Sequence, residues 1–153
     1  MPVKKLREFL DRNSVKYVSV SHSPAYTAQE IAESANIQGK DLAKTVIVDI
    51  DGRLAMAVVP DTKKVDIEKL KRVSNGTDVS ITKESDFKDA FPECEVGAMP
   101  PFGSLYDMDT FVDESLTEDP EIAFNAGTHT ELIKMPLDDF IRLADPKMGR
   151  FTV

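Results

Sequence analysis

The sequence predicts an α+β domain whose mixed, mostly antiparallel sheet is curved, barrel-like and surrounded by helices. Helical and strand patterns are interspersed along the chain, without the regular strand–helix–strand rhythm of a doubly wound parallel sheet. The pair Asp51-Gly52 joins two apolar, β-rich runs, which indicates a hairpin because both turn residues need a positive φ. The 153 residues contain no Pro/Gly/Ser-rich linker, so we expect a single domain over residues 1–153.

The N-terminal elements follow from periodicity and capping. Residues 3–12 predict a helix, because their apolar side chains recur on one face. Residues 16–21 alternate and predict a strand. Thr27 and Glu30 have the spacing of a capping box, so a short helix is expected to begin there.

The rest of the chain predicts a hairpin followed by shorter elements. Its two strands, residues 45–50 and 53–59, are almost continuously apolar, so both of their faces are expected to be covered. The remaining predictions are helices at 66–73, 84–91 and 137–143, strands at 78–81, 110–113, 122–125 and 132–135, and an irregular stretch at 92–103.

Composition excludes several classes of function. The net charge is -8, whereas a protein held to duplex nucleic acid by its phosphates carries a basic face, so a DNA partner is not expected. The apolar runs are far shorter than the roughly 18 residues that cross a bilayer, and the first residues lack a signal-peptide pattern. We therefore expect a cytoplasmic protein without a membrane partner.

The sequence lacks the motifs of phosphate loops, dinucleotide sites, zinc proteases and nucleophile elbows. Two histidines and one cysteine are few ligands for a metal, so no metal and no other cofactor is expected. Cys94 stands between Glu93 and Glu95, whose negative charges are expected to raise the pKa of its thiol. We therefore interpret Cys94 as a spectator and not as a nucleophile.

Three features carry candidate chemistry, each with a structural alternative. Lys44 precedes an apolar strand, where a lysine commonly just extends to solvent. The segment from Gly97 to Gly103 holds two glycines and two prolines, which gives either a stiff ligand-facing loop or a simple connection. Residues 124–129 read Phe-Asn-Ala-Gly-Thr-His, a strand end whose histidine is functional or structural.

Together these features resemble a known family. Lys44 before Thr-Val-Ile-Val, then Gly97-x-x-x-Pro101, then Ala-Gly-Thr-His ending at His129 resembles the YbaK/prolyl-tRNA synthetase editing-domain superfamily, as a freestanding member. The resemblance implies a mixed α/β domain with a curved central sheet. It also implies a trans-editing aminoacyl-tRNA deacylase, a hydrolase that cleaves the ester of a tRNA mischarged with a small amino acid.

The resemblance also implies roles for individual residues. Lys44 would hold the terminal phosphate or ribose, the backbone of the loop would face the ester, and His129 would orient the ribose or the attacking water. Whether His129 or a ribose hydroxyl takes the proton stays open. The catalytic set is Lys44, Gly97, Pro101, Gly127 and His129, and the substrate-binding set is Tyr26, Met99, Phe102, Gly103 and Asn125. Core packing is the alternative for the bulky members and for Met56.

The predicted partner is the acceptor end of aminoacyl-tRNA, with an aminoacyl-tRNA synthetase as a further candidate. A basic cluster would contact the tRNA phosphates, and a solvated helix face is its alternative: Lys63, Lys64, Lys69, Lys71 and Arg72. Two other functions remain open, a non-catalytic module that binds tRNA or a synthetase, and a hydrolase of another small ester. Thr-His-Thr-Glu follows Gly127 where some branches carry a basic pair, so the amino acid also stays open.

Overall fold

The structure is a computed structural model that describes residues 4–23, 27–95 and 97–153. Its α-helices are α1 (Lys4–Arg12), α2 (Ala28–Ser34), α3 (Ile67–Ser74), α4 (Glu84–Phe87) and α5 (Leu137–Ala144). Its strands are β1 (Val18–Ser21), β2 (Leu42–Ile50), β3 (Arg53–Pro60), β4 (Val79–Ile81), β5 (Asp109–Asp113), β6 (Glu121–Asn125), β7 (Glu131–Pro136) and β8 (Lys147–Gly149). Among the described residues, no helix combines the length and hydropathy needed to cross a membrane.

All eight strands belong to one mixed sheet. Its order is β1-β7-β6-β2-β3-β5-β8, and β4 pairs with β2 beside this path. The ladders β1–β7, β2–β3, β2–β4 and β6–β7 are antiparallel, whereas β2–β6, β3–β5 and β5–β8 are parallel. The predicted α+β class and the mostly antiparallel sheet are confirmed, and the strand path of the described residues is open and does not close into a barrel.

The β2–β3 hairpin forms the centre of the sheet, as predicted. Asp51 and Gly52 turn the chain with φ values of 53° and 88°, the positive φ that this turn requires. Both faces of β3 are covered, because Val58 packs in the cluster that contains Phe140 of α5 and Val59 packs in the one that contains Leu70 of α3. Each such apolar side chain contributes about 1.5–3 kcal/mol when it is fully buried.

The largest core cluster lies under α1 and α5. The ring of Phe102 is completely buried and meets three other rings edge-on, with centroid distances of 5.6 Å to Phe9, 5.6 Å to Phe124 and 5.4 Å to Phe140. This cluster fixes the end of β6 and the chain after Pro101, which both lead into the predicted site.

Most local predictions are confirmed, and two need correction. The capping box is present, since the Thr27 hydroxyl accepts from the Glu30 amide and the Glu30 carboxylate accepts from the Thr27 amide. The predicted helix at 84–91 is wrong in length, because α4 ends at Phe87 and a 3-10 turn continues from Lys88 to Ala90. Strand β8 was not predicted at all, because its three residues have no strand pattern of their own and gain it by pairing with β5.

Candidate active site

Lys44 lies on β2 beside the end of β6. The parallel ladder pairs Leu42 with Ala123 and Ala43 with Phe124, so Lys44 and Asn125 follow next to each other along the two strands. Side chains alternate along a strand, which places both on the sheet face of Leu42 and Ala123. The half-buried Lys44 donates from its ammonium to the carbonyl of Asp61, at a long 3.4 Å.

Gly127 ties the β6–β7 connection to the predicted catalytic loop. Its amide donates to the carbonyl of Ala98 at 2.8 Å, and its carbonyl accepts from the amide of Glu95 at 2.8 Å. Its φ is 94°, a conformation that a side chain would strain. These two hydrogen bonds hold Glu95 and Ala98 against the connection between β6 and β7, which also carries His129.

Gly97 and His129 lie next to each other in the structure. Both residues are exposed, and Gly97 has a φ of 85°. A Cβ atom at Gly97 would lie 3.3 Å from Cε1 and 3.7 Å from Nε2 of the imidazole. The ring therefore lies beside the glycine backbone, and a side chain at position 97 would shift it by a few tenths of an ångström. Predicted catalytic residues from two distant segments thus meet in space.

The structure narrows which backbone groups of the 97–103 loop can face a substrate. The amide of Ala98 donates to Glu95, and that of Phe102 to the Pro100 carbonyl. Pro100 and Pro101 have no amide hydrogen. The amides of Gly97 and Met99 donate to no other described residue, so these two are the loop's candidate donors to an oxyanion.

Gly103 is buried for a structural reason. Its amide donates to the Thr110 hydroxyl at 2.9 Å. A Cβ atom there would collide with the Met108 carbonyl and the Thr110 hydroxyl. This end of the loop is part of the packed interior, and Pro101 is buried as well.

The bulky residues predicted to bind substrate lie mainly in core clusters. Phe102 is completely buried among aromatic rings, and Met99 packs with Met56 beside Phe87 and Phe91. These positions favour the core-packing alternative, and a substrate role for Phe102 and Met99 remains a prediction. Tyr26 lies outside the described residues.

Cys94 has the environment of an unreactive thiol. Burial raises the pKa of the Cys94 thiol, the negative charge of Glu93 raises it further, and a hydrogen bond with the Tyr106 hydroxyl at 3.4 Å opposes them. A raised pKa leaves little thiolate near neutral pH. Among the described residues, no group of three or more His, Cys, Asp or Glu side chains is arranged to hold a metal ion.

In the predicted basic cluster, two of the five cations bond to other residues and three do not form ion pairs with other described residues. Lys69 donates to the Thr152 carbonyl at 2.9 Å, and Lys71 pairs with Glu68 at 3.4 Å. Lys63, Lys64 and Arg72 are exposed and form no ion pair with another described residue. Lys63 comes two residues after Asp61, and it also lines a cavity near the C-terminal residues together with Asp113, Glu114 and Glu118.

A cavity of about 380 Å³ lies near Lys44 and was missed by the sequence analysis. We call it the α2 cavity, and its lining residues are Gln29, Ala32, Glu33, Ile37, Gly39 and Thr62. Thr62 follows Asp61, the residue whose carbonyl accepts from Lys44. No sequence signal could have found this cavity, because three separate segments form it. A larger cavity of about 720 Å³ near the C-terminal residues is lined by three cations and three carboxylates, whose charges balance.

The sequence matches the family model of the aminoacyl-tRNA editing domain over residues 22–143. The chain belongs to this family. The predicted resemblance is therefore confirmed, and the matched range contains Lys44, the 97–103 loop and His129.

Two relatives and one solved structure are similar to this chain. The chain is 23% identical over 153 residues to the multifunctional Ser/Thr-tRNA deacylase ProXp-y of Escherichia coli K12, covering 97% of this chain and 91% of that protein. It is 26% identical over 149 residues to the prolyl-tRNA editing protein ProX of Acetoanaerobium sticklandii, covering 93% and 90%. A crystal structure of a candidate trans-editing enzyme for prolyl-tRNA synthetase shares the fold, with a TM-score of 0.84, 17% identity and coverage of 99% and 96%.

Proposed function

We propose that this member of the editing family is a trans-editing deacylase, a hydrolase that cleaves the ester between a small amino acid and the terminal ribose of a mischarged tRNA. The observation that carries the proposal is that Gly97 lies beside His129, while Lys44 and Asn125 lie side by side where the β2–β6 ladder ends, two residues before Gly127. A histidine, a lysine and two candidate backbone donors are the groups that hydrolysis of an activated ester needs.

The reaction assigns each group a separate task. Lys44 exchanges its long contact with the Asp61 carbonyl for a phosphate or ribose oxygen of the tRNA end. Water attacks the ester carbonyl carbon, and the Gly97 and Met99 amides stabilise the resulting oxyanion, a kind of contact worth about 3–4 kcal/mol per donor. The bond to the ribose oxygen then breaks, and that oxygen takes a proton. The products are the free amino acid and a tRNA with an intact terminal hydroxyl.

The proton of the attacking water has two candidate acceptors. His129 is exposed and lies against Gly97, so it can reach a water above the loop. The neighbouring ribose hydroxyl of the substrate is the other acceptor, and in that case His129 would orient the ribose. Gly127 and Asn125 would complete the wall on which the ribose rests.

The proposed substrate is tRNA charged with a small amino acid, with serine and threonine as the first candidates. One relative is named a Ser/Thr-tRNA deacylase and another a prolyl-tRNA editing protein. Lys63, Lys64 and Arg72 are exposed and would contact phosphates of the acceptor stem. An aminoacyl-tRNA synthetase that supplies the mischarged tRNA is the proposed partner, and the cytoplasm, where that tRNA is made, is the proposed location.

The test is deacylation of Ala-, Ser-, Thr-, Cys- and Pro-tRNA by the wild type, Lys44→Ala and Lys83→Ala. We expect cleavage of at least one small aminoacyl ester, and a loss in Lys44→Ala of about 100-fold in kcat/KM. Lys83 is exposed and precedes α4, so Lys83→Ala controls for the loss of a positive charge and should keep full activity. If no ester is cleaved but charged tRNA still binds, the chain is a binding module and not a deacylase.

A further inference from the structure

The α2 cavity has no task in the mechanism above, although it lies next to Lys44. Lys44 projects from the sheet face that α2 covers, because it shares that face with Leu42, which packs with Ala35 and Ile31 at α2. Its ammonium reaches the carbonyl of Asp61, and Thr62 lines the cavity. A ligand bound to the Lys44 ammonium would therefore lie close to this cavity, because the contact of Lys44 with Asp61 is one residue away from Thr62.

The size of the cavity argues against a small aminoacyl group as its occupant. A site that selects serine or alanine must fit these side chains tightly, since one extra methylene changes discrimination by only about 1–3 kcal/mol in an apolar pocket. A cavity of about 380 Å³ is in the range of sites for drug-sized ligands. It would admit large amino acids as readily as small ones and could not reject them.

The lining of the cavity suits a flat base with a polar edge. Ala32, Ile37 and Gly39 supply an apolar surface with little side-chain bulk. Gln29 and Glu33 are both exposed and lie four residues apart on α2, hence on the same side of the helix. A glutamine amide can bond to the N6 and N7 atoms of adenine, and a carboxylate accepts from an exocyclic amine.

We propose that the α2 cavity receives the adenine base of the terminal nucleotide of the tRNA, with Gln29 and Glu33 bonding to its polar edge. The inference rests on the proposed function, since it places the base of the same nucleotide whose ribose carries the ester at Lys44 and His129. Binding the base there would position the ester without contributing to the chemical step. The recognised feature is then common to all tRNA acceptor ends and does not depend on the amino acid.

The first experiment measures binding without catalysis. The trinucleotides CCA and CCC are titrated into ¹⁵N-labelled protein, and amide shifts are followed by NMR. We expect CCA to shift the amides of Gly39 and Thr62, and CCC to leave them nearly unchanged. Equal shifts with both trinucleotides, or shifts confined to other parts of the chain, would overturn the proposal.

The second experiment fills the cavity. Gly39 is the suitable position, because a Cβ atom there meets nothing within 4 Å and its φ is not in the left-handed region. Gly39→Leu should fold normally and raise KM for aminoacyl-tRNA about tenfold with kcat unchanged, as the loss of uniform binding predicts. Ser80→Leu places the same side chain at an exposed position on β4 and controls for added surface hydrophobicity.

A third experiment combines the cavity variant with an altered substrate. The wild type and Gly39→Leu are both assayed on an aminoacyl-tRNA whose terminal adenosine is replaced by cytidine. The KM of the wild type should rise about tenfold on this substrate, whereas the KM of Gly39→Leu, already raised, should not rise further. If Gly39→Leu instead alters the preference among amino acids, the cavity binds the aminoacyl group and the proposal is wrong. If the wild type cleaves no ester but the NMR selectivity for CCA is observed, the deacylase function fails and base recognition stands.

Discussion

The two ends of the 97–103 loop carry the same residue for different reasons. Gly97 is exposed and leaves room for the imidazole of His129, whereas Gly103 is buried and leaves room for a carbonyl and a hydroxyl of its own chain. The first glycine shapes a surface that a substrate can reach, and the second permits the interior to pack. A glycine in a loop pattern therefore indicates a close approach, but only the structure tells what approaches.

Gly103→Ala should have the largest effect and should act on stability. The new Cβ atom would collide with the Met108 carbonyl and the Thr110 hydroxyl. The Met108 carbonyl belongs to the backbone, so a change of side-chain rotamer cannot relieve the collision. We expect the free energy of unfolding, measured in urea, to fall by about 3 kcal/mol. Activity per folded molecule should be unchanged. A stable Gly103→Ala protein with altered amino-acid preference would instead make this end of the loop part of the site.

Asp41 and Lys44 lie three residues apart but differ in environment. Lys44 is half-buried in the candidate site, whereas Asp41 is buried and its ionisation affects stability. Burial and the neighbouring negative charge of Asp119 raise the pKa of the Asp41 carboxyl to about 6, while Lys40 lowers it. Because the folded value lies above the ordinary 3.8, the stabilising contribution is complete below about pH 4 and is lost as the pH rises through about 6. Glu118 also faces this pair and raises the pKa slightly.

Asp41→Asn should therefore flatten the pH dependence of stability. At pH 8 the variant should exceed the wild type by an amount on the order of 2 kcal/mol in urea unfolding, and the difference should disappear towards pH 4. Asp86→Asn, at an exposed position on α4, is the control and should follow the wild type. Parallel pH profiles for Asp41→Asn and the wild type would contradict the carboxyl pairing.

Gly97→Ala should have the smallest effect on stability and act mainly on activity. Its φ of 85° costs an alanine about 1–2 kcal/mol, and the Cβ atom displaces the His129 ring. Displacement of a positioned group lowers the rate, so we expect kcat/KM for deacylation to fall about tenfold or more. In Gly97→Ala/His129→Ala the two losses should not add, since both act on one imidazole. Additive losses would separate Gly97 from His129.

The parts of the fold that the sequence predicts are those set by neighbouring residues. The Asp51-Gly52 turn and the Thr27 capping box depend on side chains within a few positions, and both are present. Strand β8 and the parallel β2–β6 ladder depend on partners far along the chain, so local patterns do not contain them.

The candidate site is predictable to the same extent. The order of its motifs indicates the family, but apolar residues such as Met99 and Phe102 look alike in a core and in a binding wall. The α2 cavity combines α2, Gly39 and Thr62, and only the folded chain shows that these lie together.

Two strands pair with the same edge of β2, one after the other along its length. β6 pairs with β2 at Leu42 and Ala43, whereas β4 pairs with it only from Val48 onwards. Between these ladders the sheet forks, and the fork begins at Lys44. In the proposed mechanism, a nucleotide bound at Lys44 would separate no paired strands of the described residues, so the sheet would stay intact when the substrate binds.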